Sequence, residues 1–149
     1  MSRKVTVFLL LLTTAGIAGL TLWASGKAYT KVDSEPFREI RVLKDKLSQG
    51  PLRTETIVAL TMPIVLNVLL FIPWGFFAFV ALDVPDRPAF LSYLWTILGA
   101  VAFSSLIEAW QYFLPTRVTD VNDIIWNAAG ATVGASYGHI RKRVRVAFE

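Results

Sequence analysis

Apolar residues in this chain run in long blocks, separated by short polar stretches that carry most of the charge. A helix needs roughly 20 mostly apolar residues to cross a hydrocarbon core of about 30 Å. Four blocks reach that length: Val5 to Trp23, Thr56 to Leu82, Phe90 to Tyr112 and Val121 to His139. An open sheet would leave backbone groups unpaired in lipid, so helices are expected. The pattern therefore predicts an all-α membrane protein, a bundle of four transmembrane helices.

The segment from Ser25 to Glu55 breaks the pattern, being polar and rich in charge. Within it, Phe37, Ile40, Leu43 and Leu47 recur at steps of three, three and four, which places them on one helical face. Two readings fit equally: an amphipathic helix lying at the membrane interface, or a solvated helical loop that packs its stripe on the bundle. Gly50-Pro51 ends the segment, and the prolines at 85 and 88 mark a short turn between the second and third blocks. The chain thus divides into an N-terminal anchor with its polar loop (1–55), a transmembrane core (56–140) and a basic tail (141–149). A cleaved signal peptide ending at Ala24-Ser25-Gly26 is the alternative for the first block. Its apolar run exceeds a typical signal core, which favours a retained anchor.

Composition sharpens the picture. Of 149 residues, 54% are hydrophobic and 17% charged, against about 45–50% and 25% in soluble proteins. The mean hydropathy of +0.53 agrees. The absence of cysteine excludes disulfides, thiolate catalysis and thiolate metal sites. The net charge is +4, but the basic residues flank apolar blocks and build no soluble face for nucleic acid. Membrane topology and anionic lipid account for them better. Arg3, Lys4 and the cluster Arg141, Lys142, Arg143 and Arg145 argue for cytoplasmic termini. The basic residues nevertheless divide almost evenly, seven on that side and eight on the other. The compact cluster abutting the fourth block tips the expectation.

Polar side chains inside the blocks carry the candidate chemistry. Ser104, Glu108 and Gln111 share one face of the third helix. Glu108 lies seven residues beyond the block's midpoint near Val101, roughly 10 Å along the axis, and so inside a half-thickness of about 15 Å. A carboxylate at the slab centre costs on the order of 2.5–3.5 kcal/mol unless it faces protein or water. After the turn Leu114 to Val118, Thr119 is the expected N-cap of the fourth helix, with Asp120 and Asp123 in its first turn, where the helix dipole favours negative charge. Asp120, Asp123, Asn127, Gly134 and Gly138 fall within one narrow arc, with Gly130 at its edge. Gly130, Gly134 and Gly138 form a small-residue seam for close helix approach. In the second block, Asn67 calls for a partner on another helix, Pro73 removes an N–H and can kink the chain, and Gly75 follows.

These residues carry a resemblance. The stretch Asn67…Phe71-Ile72-Pro73-Trp74-Gly75-Phe76, with Glu108-x2-Gln111 and Arg117-x2-Asp120-x2-Asp123-x3-Asn127-x2-Gly130-x3-Gly134, resembles the VanZ-like family over about Asn67 to Gly138. The resemblance implies a small multi-pass protein of the bacterial cell membrane. Because the founding member is associated with low-level teicoplanin resistance, it also implies a cell-envelope role, with glycopeptide susceptibility as the phenotype to examine. It does not supply a biochemical activity or an oligomeric state.

Three readings of the cluster Glu108, Gln111, Arg117, Asp120, Asp123 and Asn127 stay open on the sequence. It is a structural latch, with Arg117 pairing one acid and the amides bonding across helices. Or it binds an envelope lipid or glycan at the outer interface, bordered by Trp110, Tyr112 and Trp126. Or it is a membrane-embedded enzyme acting on a lipid-linked or phosphate-bearing substrate, with Mg²⁺ or Ca²⁺ on the carboxylates or one acid as a proton donor. Three carboxylates against one guanidinium leave a latch unbalanced. His139, at the far end of the fourth block, marks the opposite interface.

Overall fold

The computed structural model describes residues 2–23, 32–85, 87–114 and 118–147, with side chains as far as Arg141. It is helical as expected. α1 (Arg3–Trp23) is followed by a two-residue strand β1 (Val32–Asp33) and the amphipathic α2 (Arg38–Gln49). Then come α3 (Thr54–Leu82), α4 (Ala89–Tyr112), a second short strand β2 (Thr119–Asp120) and α5 (Val121–Ala147). By length and hydropathy α1, α3 and α4 are candidate membrane spans. α5 is less apolar and runs through the basic cluster to Ala147, past the end expected at His139.

α3 and α5 form the largest helix contact in the bundle. They run parallel: Asn67 meets Asp123, Val68 meets Gly130, Ile72 meets Gly134, and Phe79 with Val80 meets Gly138. Glycine makes this contact possible. A Cβ placed on Gly134 would stand 2.0 Å from the Ile72 carbonyl oxygen, and one on Gly130 2.3 Å from that of Val68. Gly75 contributes from the other helix, where a Cβ would meet the Ala131 carbonyl oxygen at 2.2 Å. Gly138 is looser, facing the Phe79 ring at 3.1 Å. Without a hydrophobic drive between helices in lipid, such close backbone packing supplies much of their attraction. α3 continues as helix through both Pro63 and Pro73.

The bundle is apolar outside, and its interior combines a hydrophobic core around Phe71 and Trp74 with a polar stripe along α4. Ser92, Thr96, Ala100, Ser104, Glu108 and Gln111 are all buried and run the length of α4. A stripe at steps of four drifts by about 40° per step around a helix, so it meets different neighbours in turn. Ser92 faces the end of α3 through the Leu82 carbonyl, Ser104 faces Asn127 of α5, and Gln111 reaches Thr21 of α1. Phe8, Leu11, Leu20, Phe90 and Leu106 are exposed, as side chains that face lipid would be. α1 belongs to the bundle: Ile17 is buried, and the Trp74 indole N–H donates to the Thr14 hydroxyl at 3.0 Å.

Candidate functional site

At the end of the bundle where α4 stops and α5 starts, several elements converge. β1 pairs in parallel with β2, Val32 beside Thr119 and Asp33 beside Asp120. This small pairing brings the segment before α2 onto the start of α5. Asn122 fastens it there. Its Oδ1 accepts the backbone N–H of Phe37 at 2.5 Å, and its Nδ2 donates to the Glu35 carbonyl at 3.0 Å and to Asp120 Oδ1 at 2.9 Å. Asn122 is 1% exposed. Phe37 adopts a left-handed backbone (φ 57°) and sets its ring edge-on to Trp126, with centroids 5.9 Å apart.

The helix cap differs from the sequence expectation. Asp120, not Thr119, caps α5, its Oδ1 accepting the Asn122 backbone N–H at 2.8 Å. Thr119 is held in the strand pairing, and its hydroxyl donates instead to the Glu108 carbonyl at 3.2 Å. With the Thr119 hydroxyl committed to α4, the carboxylate of the next residue takes the cap.

Glu108 is 4% exposed. Its Oε2 accepts the Asp120 backbone N–H at 2.8 Å, which ties the end of α4 to the start of α5. On the α3 side, Asp123 Oδ1 accepts from Asn67 Nδ2 at 2.5 Å. Gln111 Nε2 donates to the Thr21 carbonyl at 3.1 Å, and Asn127 Nδ2 to the Ser104 hydroxyl at 2.7 Å. The three acids are thus engaged by donors from different elements. Among the described residues, no group of three or more acidic or histidine side chains is placed to hold a metal ion. Arg117 lies outside the described residues.

Two buried polar atoms here have no protein partner: Trp126 Nε1 and Asn127 Oδ1. Turning the Asn127 amide would exchange its ends but leave one of them unmatched, since Ser104 takes only one. Trp110 and Tyr112 are 63% and 48% exposed. Outside the bundle, burial alone would raise the Asp33 carboxyl. The Arg38 hydrogen bond, the Glu35 backbone N–H and the Arg38 and Arg41 charges outweigh it and hold the group below its ordinary value. At the opposite end, the His139 ring packs between Phe79 and Tyr93, at 5.9 and 5.7 Å.

Sequence reasoning missed Asn122, although it sits between Asp120 and Asp123 in the motif. It also missed the inner half of the polar stripe, Ser92 and Thr96, whose spacing of four was legible. What hid them was the lack of charge: neither stands out until burial is known.

Together, the apolar exterior, the buried polar stripe of α4 and the fastened polar end define a membrane helix-bundle protein organised around the junction of its last two helices. The chain belongs to the VanZ/LLP1 family, whose model matches residues 6–141. The match takes in α1 and α2, well beyond the Asn67 to Gly138 stretch that carries the motifs. No curated protein and no solved structure matches the chain significantly.

Proposed function

We propose that the protein is a four-span cell-envelope protein that binds an envelope component, a lipid or glycan, at the outer junction of α4 and α5. The carrying observation is the pair of open hydrogen-bonding groups beside the family motif. Trp126 Nε1 and Asn127 Oδ1 are buried without a protein partner, whereas more than about nine in ten buried polar groups in proteins are satisfied. A hydroxyl-rich ligand would supply both the missing acceptor and the missing donor. Glu108, Asp120 and Asp123 give the surroundings their negative charge, and Gln111 and Arg117 belong to the same motif.

Several observations support four spans. α5 runs parallel to α3 from Asp123 to Gly138, so if α3 crosses the bilayer α5 travels through it alongside. The β1–β2 pairing puts the segments before α2 and before α5 on one side, as four spans require. The contacts of α1 with Trp74 and Gln111 favour a retained anchor. Exposed Ile40 and Leu47 on α2 favour its lying at the interface over packing its stripe on the bundle.

A second reading, the structural latch, draws on the engagement of each carboxylate by a protein donor. Mutation separates the two. Glu108→Gln and Asn127→Leu should leave expression and detergent melting temperature nearly unchanged while abolishing the envelope phenotype, for which teicoplanin susceptibility is the assay. Loss of folded protein in both variants would replace the binding site with the latch. Restoration of the phenotype by Mg²⁺ or Ca²⁺ after chelation would identify the bound component as an ion.

A further inference from the structure

A cavity of about 260 Å³ lies between α2 and α3, lined by Arg38, Glu39, Val42, Ala59, Leu60 and Pro63, none of them a residue of the family motif. We infer that it holds the headgroup of an aminophospholipid, with the ammonium at Glu39 and the phosphate at Arg38.

The polar groups of the cavity set the chemistry. Glu39 Oε2 is buried and has no hydrogen-bond partner. Pro63 has no N–H to give to the Ala59 carbonyl four residues earlier, and both residues line the cavity. A carboxylate oxygen without a donor, beside a carbonyl that cannot take its usual helical N–H, suits a primary ammonium with its three N–H groups. A quaternary ammonium has no N–H to offer. Arg38 already bridges Asp33, yet its side chain is 57% exposed, and a guanidinium carries five donors. Those left over suit a phosphate oxygen.

Size and position indicate a lipid. The volume lies just under the roughly 300–1,000 Å³ usual for whole small-molecule sites, which suits a headgroup and not its acyl chains. α3 has 29 residues, about 43 Å of helix at 1.5 Å per residue, against a hydrocarbon core of about 30 Å. Shared between the two ends, that excess puts Ala59 close to the core boundary, the depth of a headgroup. Val42, Leu60 and Pro63 give the wall its apolar part.

The test uses the full chain in detergent and native mass spectrometry, with phosphatidylethanolamine, phosphatidylcholine and phosphatidylglycerol supplied separately. Phosphatidylethanolamine should bind at least about tenfold more tightly than the other two, the loss expected when a charged hydrogen bond has no counterpart. Glu39→Gln should erase that preference, and Val42→Trp, which fills the cavity, should abolish binding. Glu35→Gln, an exposed acid outside the cavity, should change nothing. Equal binding of the three lipids overturns the inference, as does a preference that survives in both Glu39→Gln and Val42→Trp. Displacement of the lipid by equimolar soluble phosphoethanolamine overturns the membrane as the ligand's source.

Discussion

Asn122, at the start of α5, accepts the backbone N–H of Phe37, 85 residues earlier in the chain, at 2.5 Å. The same amide donates to the Glu35 carbonyl. One fully buried side chain thus fastens the segment before α2 to the most charged part of the family motif. Asn122→Ala should release it. The Phe37 amide should then exchange with deuterium at least about tenfold faster, the equivalent of one lost hydrogen bond. Asn122→Asp keeps the acceptor for Phe37 and should protect that amide better than alanine does. Unchanged exchange in Asn122→Ala would show that the β1–β2 pairing holds the segment by itself.

The α3–α5 contact should be intolerant of a single methyl group. In Gly134→Ala the new Cβ would meet Ile72 backbone, which has no rotamer to move. Overpacking costs about 1–3 kcal/mol or more, and the detergent melting temperature should fall by several degrees. Val133, one position away and 52% exposed, should accept leucine with little change. Equal melting temperatures for the two variants would mean that the helices sit further apart than described.

Orientation is open to direct labelling, because the chain has no cysteine of its own. A cysteine at Ser34 should react with an impermeant maleimide in intact cells. One at Arg87, between α3 and α4, should react only after lysis. The opposite pattern would reverse the orientation and put the α4–α5 junction in the cytoplasm.

The Asp33–Arg38 ion pair gives a pH dependence of definite sign. The folded Asp33 carboxyl lies below its ordinary value of 3.8. Its contribution is therefore complete above that value and is lost as pH falls through the lower, folded one. Deuterium exchange over residues 33–37 should stay constant from neutral pH down to about pH 4 after correction for intrinsic rates, and rise only below it. In Asp33→Asn the step should vanish. A step near neutral pH would assign the transition to another group.

The sequence alone determined the helices, because an apolar block of about 20 residues has few other ways to satisfy its backbone in lipid. The starts and ends of α1, α3 and α4 lie within two residues of the predicted blocks. It also singled out the polar residues of the candidate site, since Glu108, Asp120, Asp123 and Asn127 declare themselves by their cost in an apolar setting and by helical spacing. Only the tertiary structure decided which partner each takes. Asp123 bonds to Asn67, 56 positions away, and Glu108 to the Asp120 backbone, and no local rule sets such pairings. It also moved the cap from Thr119 to Asp120 and raised Asn122 from an unremarked polar residue to the clamp of the junction. Helical periodicity fixes which face a residue occupies, whereas the neighbour on that face depends on how the helices cross. Here that crossing is governed by glycines whose importance lies in the backbone they allow to approach.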